Sequence, residues 1–470
     1  MATIVHRFWN ALTDKKNGEP IGSIFYYFFP ELITALIIYS GIELIDGYLI
    51  ANLKETALYP TLGVTKTLLH AITKMTEGFG VGMVVLCGQY NGIGEYSKVG
   101  KVVADAFWVT CFLGALVAGL LYFGGSYILA FYGVPADIAV CGLPFLQLRA
   151  IGVFFQVVSF ALIGFMRGVK NTRVPMFIFI LGALTFVLFD VVLVLGYWGF
   201  PCLALKGSAI ASILQALVVF VSCVLYIVGY KENRKYGISL LQSINGNNVA
   251  SLVLLSLPVI IDKASLAISY TWLVKKINSL PATQEVGRQM LASYTCMRDF
   301  ERFMLLPALA FASVLTFLIS NDYRRQNWDG MRANLARILV IALSMVGFLS
   351  LFLVFNPGYF ISIFDKNGSF LPFAVLVVPV FASLLLIDVL QCILSAMLRG
   401  AACVRVVMWV RVGVCGLFLF PVAHLVSLLP IANPILHFIL LYGVLYASYG
   451  LMGILFILYL RRGTWKKMSI

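Results

Sequence analysis

The chain is 470 residues long and 61% hydrophobic, and only 11% of it is charged, less than half the roughly 25% of ordinary soluble domains. That balance excludes a water-soluble globular class and makes lipid the expected solvent. A formal net charge of +14 would point to nucleic acid in a soluble protein. Here the basic residues fall between apolar windows, where they set orientation in the bilayer, and no nucleic-acid partner is expected.

The first 21 residues carry Arg7, Lys15 and Lys16 with no apolar run behind the first charges, which reads as a cytoplasmic tail rather than a cleavable signal peptide. Windows of the length a span needs, about 20 mostly apolar residues, then follow at 22–49, 57–87, 102–123, 139–166, 174–196, 207–230, 252–274, 290–319, 335–355, 370–398, 404–427 and 436–460. Asp46 lies near the end of the first span. The second holds TKTLLHAITKMTEGFG (65–80), with Lys66, His70, Lys74 and Glu77. At 100° per residue these four share an arc of about 80°, with Leu68, Ala71, Ile72 and Met75 opposite. The stripe is either bonded within its own half of the protein or lines a water-filled cavity, to which Arg149 of the fourth span would add. GIGEYS (92–97) is a turn after the second span. Asp190 sits in TFVLFDVVLVLG of the fifth span, Asp262 in the seventh, Glu301 in the eighth and Asp388 in the tenth. Arg298, Asp299, Glu301 and Arg302 form opposite-charge pairs at i,i+3, the pattern of a self-compensating cluster. Gly78, Gly80 and Gly82, with Pro30, Pro258 and Pro307, mark either helix bends or close packing.

Twelve spans leave both termini on one side. The segments on that side carry most of the basic residues, among them Arg167, Lys170, Arg173, Arg324, Arg325, Arg399 and Arg405; the other side holds Lys54, Lys206, Lys275, Lys276, Arg288 and Lys366. Both termini are therefore expected in the cytoplasm of a multi-pass plasma (inner) membrane protein. The halves also repeat. LPF at 143–145 recurs at 371–373, and FMRG at 165–168 recurs as MLRG at 397–400, each followed by an arginine six residues beyond its own (Arg173, Arg405). The expected fold is all-α, twelve helices in two six-helix lobes related by pseudo-two-fold symmetry about the membrane normal. The lobes are 22–231 and 252–460, with a linker at 232–251 and tails at 1–21 and 461–470.

Enzyme signatures are absent: there is no GxxxxGK[ST], no HExxH, and the nine cysteines form no CxxC. No catalytic residue, metal or cofactor is expected, and transport would draw on an ion gradient through an acid inside the membrane. At this point GFMRGVKNTRVPM (164–176) resembles the loop after the fourth helix of the multidrug and toxic-compound extrusion (MATE) transporters, LRGxGDTRTPM, with Asn171 in place of Asp. LIDGYLIANLKETALYPTLGV (44–64), LKGSAIAS (205–212) and IDVLQCILSAMLRG (387–400) are similar to the first-, sixth- and tenth-helix motifs of the same family. The order and spacing of these motifs cover nearly the whole chain.

The resemblance implies that Asp46 and Asp190 form the cation-coupling pair of the N-terminal lobe, with the hydroxyl of Ser212. The Asn of that family site falls at Phe186, which favours H+ over Na+. It implies a weaker C-terminal set of Asp388, Glu301 and Asp262, the last standing in for the acid position at Leu266, with Lys263 as a candidate partner. The reading is a secondary antiporter that exports small organic or amphipathic compounds, driven by a transmembrane H+ or Na+ gradient, monomeric and surrounded by lipid. The basic stripe points to an anionic or zwitterionic substrate rather than the cations the family typically expels. A flippase for an anionic lipid-linked saccharide and a non-transporting protein that retains the fold are the alternatives.

Overall fold

The computed structural model describes residues 12–13, 17–51, 53, 58–131, 136–240, 243–281, 283–365 and 368–467, without the side chains of some helical residues, Lys66 among them. Arg7, Lys15, Lys16, Lys54 and Lys366 lie outside the described residues.

Each of the twelve expected spans is a helix. The first covers Ile21–Leu36, a π turn at Ile37–Gly41, and Ile42–Ala51. The second to sixth are Leu58–Gly92, Tyr96–Phe131, Ala136–Gly168, Arg173–Leu195 and Ala204–Gly229. The seventh to tenth are Gly246–Asn278, Gln284–Tyr323, Trp328–Phe355 and Leu371–Gly400. The eleventh is Val404–Val414, a π turn at Cys415–Leu419, and Phe420–Leu428, and the twelfth is Pro434–Arg462. A short helix, Pro357–Phe364, precedes the tenth. Among the described residues eleven helices are long and apolar enough to cross a membrane. The second is not one of them, because its polar stripe interrupts the apolar run. Its 35 residues still exceed the length of a span.

Within the N-terminal half the second helix packs on the fourth, the fourth on the third and sixth, and the fifth on the sixth. Small residues allow these close crossings. A Cβ on Gly164 would stand 2.4 Å from the Gly80 carbonyl oxygen and 2.7 Å from Met83 Cβ. Gly78 and Gly82 face Ile260 and Ser256 of the seventh helix just as tightly, so these glycines serve packing inside an unbroken helix. The repeat shows in the same detail. Gly168 of the first RG lies against Cys87 and Val84 of the second helix, and Gly400 of the second RG lies against Thr316 and Ile319 of the eighth.

The chain divides into two compact units, Phe29–Ile260 with Ser320–Gln326, and Ile261–Ile319 with Asn327–Ile470 and the chain up to Phe28. The linker and the first half of the seventh helix thus count with the N-terminal unit, where the sequence reading drew the division at 232–251.

Candidate functional site

In the N-terminal unit, the C-terminal part of the first helix packs on the fifth and sixth helices. Leu49, Ile50, Val194, Leu205 and Ala209 form part of one buried apolar cluster there. Asp46 is 3% exposed and accepts a hydrogen bond from Ser208 Oγ at 2.8 Å. Asp190, on the fifth helix, is completely buried, and Phe186 one turn earlier is also buried. The hydroxyl that meets Asp46 is that of Ser208, one helical turn before Ser212. Ser212 Oγ turns to the carbonyl of Ala209 at 2.7 Å.

The Lys74–Glu77 part of the polar stripe on the second helix is bonded within its own half. Lys74 Nζ stands 3.2 Å from the centroid of the Tyr39 ring and 3.7 Å from Glu77 Oε1. The Tyr39 hydroxyl donates to that same oxygen at 2.8 Å. Tyr39 sits on the π turn of the first helix, an irregularity that commonly re-aims a side chain at a functional position. His70 is half-buried, as is Arg149, whose guanidinium lies 5.9 Å from the Phe145 ring centroid. On the same face of the second helix, Thr73 Oγ1 donates to Gln156 Oε1 at 3.4 Å. Gln156, Arg149, Ser159, Ser212 and Gln215 supply the polar lining of a cavity of about 90 Å³ between the fourth, fifth and sixth helices. The stripe and Arg149 therefore share a polar interior but make different contacts, Lys74 in a tight cluster and Arg149 at the cavity wall.

Two of the three C-terminal acids, Asp262 and Glu301, are bound by the chain's own cations. Asp262, 2% exposed, accepts from Arg399 Nη2 at 2.8 Å and from Arg411 Nε. Two arginines distant in sequence hold Asp262, in addition to its candidate partner and neighbour Lys263. Arg411 Nη2 also donates to Gln391 Oε1 at 3.3 Å, and Gln391 Nε2 donates to Asp388 at 2.7 Å. Glu301 accepts from Arg298 Nη1 at 2.6 Å, from the Tyr442 hydroxyl at 2.8 Å and from the Tyr446 hydroxyl. Arg298 lies 3.6 Å above the Tyr270 ring, whose hydroxyl is 2.7 Å from that of Tyr449. The i,i+3 pairs are present, Arg298 with Glu301 tightly and Arg302 with Asp299 at 3.9 Å.

These clusters repeat between the halves. The arginine of the first RG, Arg167, binds Glu31 of the first helix at 2.8 Å. The arginine of the second RG, Arg399, binds Asp262 of the seventh at 2.8 Å. Eight residues after each acid comes a tyrosine, Tyr39 and Tyr270. Over each ring lies a cation of the next helix, Lys74 or Arg298, paired with a glutamate three residues on. Tyr39, Glu31, Arg411 and Ser208 were not singled out by sequence reasoning. The charge-type match Glu31…Tyr39 against Asp262…Tyr270 is the signal that finds the first two.

Comparison with known proteins is consistent with this organisation. The MatE family model matches residues 32–192 and 272–425. A probable multidrug resistance protein of Bacillus subtilis, YoeA, is 19% identical over 323 residues, 68% of either chain. The probable multidrug resistance protein NorM of Synechocystis is 23% identical over 345 residues, 71% of this chain and 73% of its own. Among solved structures, an outward-facing multidrug resistance MATE family transporter of the MOP superfamily superposes with a TM-score of 0.86 at 15% identity over 98% of both chains. A MOP superfamily transporter from Pyrococcus furiosus, for which a reverse polarity of the binding pocket is taken to suggest a different function, superposes with a TM-score of 0.85 at 14% identity, again over 98% of both.

Proposed function

From the premise that the chain belongs to the MATE family of membrane transporters, we propose that it is a secondary antiporter, exporting small organic compounds in exchange for protons by alternating access of its two lobes. Multidrug resistance is what the names of YoeA and NorM state, and efflux is the activity carried over here. The observation that carries the site of coupling is the state of the acids. Asp262 is bound by two guanidinium groups and Glu301 by one guanidinium and two tyrosine hydroxyls. Each is thus engaged by the chain's own side chains, and removing one partner of such a buried pair is strongly unfavourable. Asp46 and Asp190 are carboxylates buried in a helix bundle within the membrane, where an acid is costly to keep and marks a proton or ion path. Sodium asks for several oxygen ligands, as hard cations do. Phe186, at the position of the family's Asn, supplies none.

The substrate reading follows from the interior. Arg149, with the amides of Gln156 and Gln215, faces a cavity of about 90 Å³, a polar recess fitted to an anionic or zwitterionic head group. The distribution of basic residues supports both termini in the cytoplasm of the plasma membrane, and the chain is taken to act as a monomer. The test is transport into proteoliposomes under an imposed pH gradient. Asp46→Asn and Asp190→Asn abolish gradient-driven transport, while Asp388→Asn keeps most of it. Full transport by both N-terminal variants, or transport driven by a sodium gradient alone, overturns the proposal.

A further inference from the structure

The duplicated cluster has a chemistry of its own. A tyrosine face with a carboxylate at its edge is what binds an organic ammonium, through cation–π attraction and charge. The N-terminal half has such a cage in Tyr39 and Glu77, which are in direct contact, and its C-terminal counterpart is Tyr270 with Glu301, joined through Arg298. Each is filled by the chain itself, with Lys74 Nζ 3.2 Å from one ring centroid and the Arg298 guanidinium 3.6 Å from the other. A cation attached to the same helix as its carboxylate competes at a high effective concentration with any free cation.

We propose that Lys74 and Arg298 are tethered occupants of two organic-cation cages, and that Lys74 determines substrate polarity by keeping organic cations out of the N-terminal one. The inference rests on the anionic or zwitterionic substrate reading above. The two occupants are held differently. Arg298 is locked, because Glu301 meets it at 2.6 Å and also takes two tyrosine hydroxyls. Lys74 is held by the ring, and its ammonium stands 3.7 Å from Glu77, with side-chain exposures of 25% and 13%. The N-terminal cage is therefore the one a single substitution opens, with its aromatic face and its carboxylate already in place.

The experiment is equilibrium binding of tetraphenylphosphonium to the full chain in phosphatidylcholine nanodiscs, with no ion gradient. Lys74→Gln binds the probe at least tenfold tighter than wild type. Lys74→Arg, which restores a tethered cation, stays at the wild-type affinity. Adding Glu77→Gln to Lys74→Gln removes the gain, because the carboxylate is half of the cage. Lys74→Met is the second cage-opening variant, and the melting temperature of each protein separates misfolding from lost binding. The proposal is overturned if well-folded Lys74→Gln and Lys74→Met bind the cation no tighter than wild type, or if the gain survives Glu77→Gln. Because no gradient is applied, failure of proton coupling leaves this result untouched. The anionic-substrate reading is checked separately with an organic-anion probe on wild type in the same nanodiscs: no binding of the anion fails that reading, whatever the Lys74 variants do with the cation.

Discussion

The buried bridge around Asp262 gives the sharpest test of the C-terminal architecture. Arg411→Met removes a guanidinium that is 4% exposed and leaves its carboxylate, 2% exposed, with Arg399 as its remaining guanidinium partner. Breaking a buried pair by deleting one partner costs about 3–5 kcal/mol, since the remaining charge has lost its compensation. Arg399 stays at 2.8 Å, so the expected loss lies at the low end, about 3 kcal/mol. Gln391 also loses a donor at 3.3 Å, a smaller effect of about 1 kcal/mol. Asp262→Asn alone leaves two arginines facing a neutral amide and is destabilising for the converse reason. The double variant removes one charge of each sign, so its cost falls well below the sum of the singles, with a coupling of about 1–3 kcal/mol. Reversible unfolding in mixed micelles, followed by helical circular dichroism against the mole fraction of denaturing detergent, measures all four proteins. A loss below about 1 kcal/mol for Arg411→Met, against the 3–5 of a broken buried pair, refutes the reasoning. So does strict additivity in the double variant.

Two further outcomes follow from particular contacts. Gly164→Ala places a methyl group 2.4 Å from the Gly80 carbonyl oxygen, so the second and fourth helices must move apart, at a cost of about 1–3 kcal/mol; a melting temperature equal to wild type in the same micelle would contradict that crossing. Asp365, in the connection before the tenth helix, accepts from the backbone N–H groups of Ser369, Phe370 and Leu371. Burial works to raise its carboxyl, but these donors together with the Ser369 hydroxyl hold it below the usual carboxylate range. A depressed native value means that its contribution is present above the unfolded carboxylate range and is lost as pH falls through the native value. Asp365→Ala therefore loses about 1 kcal/mol at neutral pH, the worth of a helix cap, and the difference from wild type shrinks below about pH 4, where even a free carboxyl protonates. A difference that stays constant down to pH 2 removes the carboxylate from the account.

The helices were legible because lipid makes hydropathy nearly decisive, and even the charged second helix could be read from the single face its polar residues share. Partners were less legible. Ser208 and Ser212 lie one turn apart on the same face of the sixth helix, and sequence periodicity treats them alike. Which one meets Asp46 depends on how the first helix is rotated, and the π turn at Ile37–Gly41 changes that rotation without any signature in composition. Asp262 was given its neighbour Lys263 as a candidate partner, yet its two guanidinium partners come from the tenth and eleventh helices. The duplicated cages were invisible to identity, since Glu is matched by Asp and Lys by Arg across the halves. They appear when charge type and the eight-residue step to tyrosine are compared instead.

That substitution of lysine for arginine is where the two halves part. An arginine fork can meet a carboxylate with two parallel donors and still stack on a ring, so once buried with Glu301 and two tyrosines it has little reason to leave. A lysine has one compact charge on a flexible stem, and at 3.7 Å from Glu77 it makes no direct hydrogen bond to the carboxylate it neutralises. The C-terminal half thus commits its acids to a fixed network that extends through Arg411 and Gln391 to Asp388. The N-terminal half holds a less tightly bound ion pair beside Tyr39, together with Asp46, Asp190 and the cavity at Arg149. Two copies of one arrangement therefore differ in how readily their charges can be rearranged, and the less tightly held copy lies in the half that also contains the polar recess.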